Sequence, residues 1–593
     1  MSLNVTKRGL AGIAAACLVS VALPVAPAMA QKVKTKPAEQ SAPAEFVVSI
    51  PTVDAVDSSI DADTIKAILS GAIVENADAL AGLNATSITV PEIVLTVTST
   101  VDGQKQEGVL TFNNLVLEDV VDGIAASASL ESSSFDVEDG HAEMGSTSAT
   151  HFNIGGMLGV YGLVDAGGST EMATLYADFL MEGGTFEAEE VACEFGPISG
   201  AEVRGRPIET SFVEIMTLAQ QMEANPDVED PAMVGKIMRM YADILTAFES
   251  SEFTFEGFSC SGTDDEGRPM TFEIGNMTMA GMSPGIYPQI SMDDFRINVE
   301  GDGSITLGNF TLKQFDLSST IATMASAPAE VTEAWLEANA RALIPAFEGF
   351  SFSGLGIDIP DPDADGERIV ADVDNFDLSL ASYINGIPSD VDTSASGIRA
   401  TLPKDSEDEQ LQQLIALGIT KIDAGFRLAA AWNADKNSIE VKEVSVSGVD
   451  LATVVLSGTI ANATEALFSL DENEALMAGM GVAIKALKLD VTDAGLSDII
   501  LAVAAADQGA DPATLRPVFA GLAEGTIVGM MAGAADAAKL GAAINQFVSG
   551  KAKSLNIGIE AKEDPGLSMV DFMTAEEDPA SLIGKVNISA SAK

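Results

Sequence analysis

The sequence predicts an α+β protein in which repeated antiparallel β-meander modules form an elongated curved sheet with amphipathic helices interspersed. Three observations lead there. Short runs with two-residue apolar alternation follow one another through tight turns, the connection antiparallel strands use. Runs with three- and four-residue apolar spacing separate them and read as helices. One strand also recurs: Phe255-Glu256-Gly257-Phe258-Ser259-Cys260-Ser261-Gly262 returns as Phe347-Glu348-Gly349-Phe350-Ser351-Phe352-Ser353-Gly354, each time after a helix and before an acidic turn.

Residues 1–30 read as a secretory leader. Lys7 and Arg8 precede an apolar run, 9–25, that is too short to span a bilayer, and Ala28-Met29-Ala30 supplies the small residues of a cleavage site. Cleavage is expected between Ala30 and Gln31, releasing a periplasmic or secreted protein. The alternative is a lipoprotein modified at Cys17, which follows Ala14-Ala15-Ala16. Against it, Leu18 to Ala22 continue the apolar run where a lipid-bearing cysteine is normally followed by a polar tether.

Residues 31–45, rich in Lys, Pro, Ala and Gln, read as a flexible tether. A single core is unusual at this length. The remainder divides into modules 46–165, 166–250, 251–345, 346–420 and 421–593. The first opens with a helix at 63–69, followed by strand segments at 87–90 and 92–98. Val101-Asp102-Gly103-Gln104 then provides an Asp-Gly hairpin turn before the strand 108–112. Longer helices are expected at 207–223, 230–249, 328–347 and 511–533. In the second, Met233, Ile237, Met240, Ile244 and Leu245 share one face, which core packing against a sheet explains more simply than a Met-rich binding surface. The most apolar later stretch, 521–544, carries Glu524, Asp536 and Lys539, so it reads as a soluble helix or helix pair. No integral segment is expected after leader cleavage. With 2 Trp and 5 Tyr, the chain lacks the aromatic girdles of an outer-membrane barrel.

Charge bounds the partners. Against 31 Lys+Arg stand 88 Asp+Glu, a net charge of −57 that grows by two units when Lys7 and Arg8 leave with the leader. Nucleic acid and anionic lipid surfaces are repelled by such a field. The acids lie among 47% hydrophobic residues, a composition that folds. A solvated acidic surface is the simple reading and divalent-cation binding the sharper one.

Cys193 and Cys260 are the cysteines that remain after cleavage, and in an oxidising compartment an even pair predicts a bridge. No neighbouring histidine makes them a zinc site. Glu189-Glu190-Val191-Ala192-Cys193 is a third, shorter copy of the repeated strand. The two-residue period places Val191, Phe258, Phe350 and Phe352 on a common inner face with the cysteines. Stacked copies would set Cys193, Cys260 and Phe352 in one inward column.

Candidate chemistry is sparse. Asp361-Pro362-Asp363-Ala364-Asp365-Gly366 with Asp372 twelfth in the run fits the ends of a calcium loop, through Asp361, Asp363, Asp365 and Asp372. Arg368 stands where an apolar residue anchors such loops, and the flanks read as strands. Gly281-Met282-Ser283-Pro284-Gly285 matches the nucleophile pattern of hydrolases, but the proline and the lack of a following helix make it a turn. The two histidines, His141 and His151, fall in a Gly/Ser-rich stretch that reads as a loop. Carboxylate pairs such as Glu189/Glu190 and Asp264/Asp265 suit a glycosidase by type, yet only Trp335 and Trp432 could form a sugar platform. There is no P-loop or dinucleotide fingerprint, and no cofactor other than calcium is implied.

The C-terminal third, with Gly448-Val449-Asp450-Leu451, Asp493-Ala494-Gly495-Leu496-Ser497-Asp498 and the closing strands Leu555-Asn556-Ile557-Gly558-Ile559 and Val586-Asn587-Ile588-Ser589-Ala590, resembles uncharacterised secreted proteins of Gram-negative bacteria. In style the chain is similar to YdgA-like and AsmA-like envelope proteins. That resemblance implies long curved sheets with an apolar inner face and no catalytic motif, although the cleavable leader departs from the membrane anchor of AsmA-like proteins. The expected function is therefore a non-enzymatic periplasmic or envelope protein holding an apolar, lipid-like ligand along the sheet's inner face. The alternative is a structural or surface-interaction protein whose acidic loops bind calcium, and an enzyme with clustered carboxylates ranks third.

Overall fold

A computed structural model describes the chain except residues 1–44, 102–103, 165–170, 211–230, 265, 362–367, 403–408, 417, 532–533, 535 and 578–579. The predicted leader, Cys17 and nearly all of the tether lie outside the described residues, as does most of the helix expected at 207–223. With 50% strand, 25% helix and antiparallel pairing, the α+β class holds. The described chain divides into two compact units, one comprising residues through Met292 with Leu317–Glu337, the other Asp293–Asp316 with Ala338–Lys593.

The first unit is built on the long pair Ala85–Val101 and Gln104–Val121, whose register sets Val101 opposite Gln104; the expected turn residues Asp102 and Gly103 lie outside the described residues. The two predicted strand segments are one strand running through Pro91. Proline is tolerated because its outer side is served by two short strands, Glu45–Ser49 opposite residues 94–98 and Asp54–Val56 opposite 87–89; Pro91 falls in the gap, where no partner needs an N–H. The helix Ala62–Leu69 starts where the Asp61 carboxylate accepts from the Thr64 amide at 2.9 Å, and it buries Ile65 and Ile68 against Leu83, Ile88 and Val90. Farther along, Ser132–Val137, Gly140–Met144, Gly184–Ala188, Val191–Phe195, Phe258–Thr263 and Pro269–Ile274 lie side by side.

The second unit is an antiparallel meander. Gly303–Leu312, Gly349–Pro360, Arg368–Ile384, Ile387–Thr401, Lys421–Asn433, Ser438–Gly448, Ala452–Ala461 and Ala483–Asp493 each pair with the next, and Ser554–Ala561 and Val586–Ala592 close it. At one level Gly354, Asp374 and Gly397 drop out of the ladder. Gly397 has φ +61°, and a Cβ there would lie 2.8 Å from Asp374 Cβ. Asp374 is held in turn by both Arg399 amino groups, at 2.8 and 2.5 Å. This row of extra residues ends at the register shift between Ala395 and Ile398, which keeps Ile398 on the same face as Ala395.

Three expectations need correction. The helix of 328–347 is only Glu333–Asn339; Pro328 and Pro345 bracket it, and Ala346–Phe347 is already strand. A helix at Ser318–Ala325 precedes it, hidden in the sequence by its hydroxyl-rich composition. The helix of 230–249 stops at Ile244, because Phe248–Ser250 pairs as a strand. His141 and His151 are in strands, Gly140–Met144 and Thr147–Asn153, since neighbouring strands supply pairing that local composition does not announce. By contrast, 521–544 falls on a helix pair, Pro512–Met530 and Ala537–Val548. Among the described residues no helix is long and apolar enough to cross a membrane.

Candidate functional site

Strand alternation in the second unit separates two faces. Residues directly opposite one another form the row Phe310, Phe352, Phe376, Ala395, Phe426, Val446, Val454, Val491 and Leu555. One residue away, the other face presents Ser351, Asp377, Ser394, Arg427, Ser445, Val455, Asp490 and Asn556. Antiparallel sheets with one covered face alternate in this way. A parallel apolar row runs through Phe350, Leu378, Thr393, Leu428, Val444, Leu456, Leu489 and Ile557. Phe376 ties the two rows, its ring stacked 5.1 Å from Phe352 and 5.3 Å from Phe350.

Helices cover one end of this face. Met531, Ala537 and Leu540 pack on Ile557, Ile588 and Ala590, so the last strands are roofed by the helix pair. The middle is not. Val446 is 61% exposed, Leu428 41%, Val454 40% and Phe426 38%, all on adjacent strands of the apolar face. Beside this stretch Trp432 donates its indole N–H to the Ala463 carbonyl at 2.6 Å and meets Phe468 edge-on, which accounts for it as packing.

The polar face of the same sheet is laced by ion pairs. Arg427 spans Asp392 and Glu443, Lys442 reaches Asp390, and Lys313 bonds Asp377 at 2.7 Å. Hydrogen bonding from Arg427 draws the Asp392 carboxyl below the usual carboxylate range. Among the described residues these pairs tie strands of the sheet to one another.

The sequence-derived site residues are placed as follows. Cys193 and Cys260 are directly opposed and bridged, with Phe186 and Phe272 as their outer cross-strand neighbours. Val191 faces Gly262, and Phe258 faces Phe195 and Ile274, on the same side of the sheet as the cysteines. Phe350 and Phe352 belong to the second unit, where Phe352 is flanked by Phe310 and Phe376 instead of by cysteine. Asp363 and Asp365 lie outside the described residues. Asp361 follows a strand, and Asp372 sits mid-strand with its carboxylate 4.0 Å from Arg399 Nε. Among the described residues no group of three or more His, Cys, Asp or Glu is disposed to hold a metal. Ser283 bridges to Ile286 in a tight turn, not at a strand-to-helix elbow. His141 is engaged by Asp136 at 2.7 Å, and Asp264 by Arg268, whose hydrogen bonds lower its carboxyl.

Phe350 and Phe352 stand out in the sequence through the repeated strand, whereas Phe376, Phe426, Val446 and Val454, their row partners, lie outside it. Alternation was the available signal, as in Phe426-Arg427-Leu428 and Val444-Ser445-Val446. Residues 445–593 match a family model described as "Uncharacterized protein". No curated protein matches the chain.

Proposed function

We propose that this is an exported, non-enzymatic envelope protein that holds an apolar, lipid-like ligand against the open part of the apolar sheet face. The observation that carries the reading is the exposure of Phe426, Leu428, Val446 and Val454 together on one continuous face, while the same rows are roofed by helices at the closing strands. Contiguous apolar surface of this kind is what ligands and partners cover in soluble proteins. The secretory pattern of residues 1–30 and the similarity in style to AsmA-like envelope proteins agree with it. So does the acidic, ion-paired opposite face, which keeps that side in water.

The test is native mass spectrometry of the full chain purified from the envelope fraction, followed by organic extraction. Co-purifying lipid, displaced when Val446→Asp is introduced, is the expected result. A bare polypeptide mass, together with no uptake of a neutral fluorescent alkyl probe, would remove the proposal.

A further inference from the structure

Between the helices Leu496–Gln508 and Pro512–Met530 and the turn that follows Ala537–Val548 lies a cleft of about 710 Å³. That volume is in the ordinary range for small-molecule sites. Leu501 and Ala520 form buried apolar wall, while Asp498, Arg516, Asn545, Ser549 and Lys551 supply polar groups, two cations against one carboxylate. In a chain with 88 acids and 31 bases, two cations meeting in one concavity run against the prevailing charge.

Arg516 is largely buried, its side chain 18% exposed, and it pairs through Nη2 with Asp498, which is 64% exposed. Among the described residues its Nε and Nη1 have no protein acceptor, and Lys551 has no carboxylate partner. Gly550, at φ +74°, lets the guanidinium lie against the turn, since a Cβ there would collide with it. A guanidinium so held, with donors left over, is preorganised for a planar or tetrahedral oxyanion.

We infer that this cleft takes the anionic head group of a single-chain amphiphile, a carboxylate or phosphate, with Arg516 and Lys551 binding the head and Leu501 and Ala520 lining the chain. The site stands apart from the open sheet face and does not depend on it.

Calorimetric titration of the full chain with laurate, neutral glyceryl monolaurate and inorganic phosphate tests the inference. Laurate should bind, with Arg516→Gln or Lys551→Gln each weakening it about tenfold, the scale of a lost charge-assisted hydrogen bond. Lys539→Gln, removing an exposed lysine elsewhere, should leave binding unchanged. Lys551 is exposed, so its variant remains informative should Arg516→Gln unfold. Wild-type laurate affinity in both cleft variants would overturn the assignment, and phosphate binding as tightly as laurate would overturn the amphiphile. If Val446→Asp alone abolishes laurate binding, the ligand belongs to the sheet face; the cleft inference then fails while the sheet reading stands.

Discussion

Cys193 and Cys260 face each other across adjacent antiparallel strands with Cα atoms 4.0 Å apart and are joined by a disulfide that closes a separation of 67 residues. Cross-linking over that distance removes denatured-state entropy worth about 4 kcal/mol in the chain-entropy model. The double variant Cys193→Ser/Cys260→Ser should accordingly lower the urea midpoint of the first unit, with little effect on the second. An unchanged midpoint would mean that cross-strand packing of Phe186 and Phe272 alone fixes the register.

That bridge was legible because two cysteines sat in matching strand contexts, and the antiparallel pairing of 85–101 with 104–121 was legible in their alternating runs. The expected column joining Phe352 to the cysteines does not form, since Phe352 pairs with Phe310 and Phe376. Local similarity between 255–262 and 347–354 specifies a strand and its faces, but not which strands become its neighbours, and the two copies fall in different units. The cleft was invisible for the same reason: Arg516 and Lys551 are distant in sequence, and only the packing of three helices brings them to one concavity.

Position on the apolar face should separate binding from stability. Val446→Asp places a charge where the side chain is 61% exposed, so unfolding free energy should change by less than about 1 kcal/mol while uptake of a neutral alkyl probe falls. Leu555→Asp, on the same row but 7% exposed, should destabilise by about 3 kcal/mol or more because the charge is buried without a partner. Paired denaturation curves and probe titrations check both. Equal probe binding by Val446→Asp and wild type would count against the open-face site.

The proposed export makes a prediction independent of the fold. When the full chain is expressed in a Gram-negative host, the envelope fraction should contain a polypeptide beginning at Gln31, read by N-terminal peptide mass spectrometry. A chain retaining Met1 in the cytoplasmic fraction, or lipid attached at Cys17, would refute that processing.

Gly397 tests the row of extra residues in the second sheet. Its φ of +61° is costly for any other residue, and a Cβ would strike Asp374, which Arg399 holds in place. Gly397→Ala should destabilise by about 1–3 kcal/mol. Asp374→Ala in the same background removes the Cγ and Oδ2 that the new Cβ would strike but keeps the Asp374 Cβ at 2.8 Å, so a double-mutant cycle should recover part of the loss and leave the backbone strain. Full recovery would show that sterics, not backbone conformation, demand the glycine.

Asp493 carries the clearest pH dependence. Its side chain is 7% exposed; burial pushes the carboxyl up, but the Ser497 hydroxyl at 2.7 Å, the amides of Ser497 and Gly495, and Lys553 at 3.3 Å outweigh that and bring it down to about 2. A carboxyl depressed in the folded state stabilises above its unfolded value near 3.8, and the contribution disappears as pH falls through about 2. The shift corresponds to roughly 2 kcal/mol at neutral pH. Asp493→Asn should therefore lose about that much at pH 7, since the amide cannot accept from all these donors, and the gap to wild type should narrow steadily between pH 5 and about 2. Because Asp493 ends the strand Ala483–Asp493 and its carboxylate accepts from the Gly495 amide just before the helix Leu496–Gln508 and the Ser497 amide in its first turn, the variant should also loosen the wall that bears Asp498 and Leu501. Laurate affinity should fall with stability in Asp493→Asn; a destabilised variant with full affinity would separate the cap from the cleft.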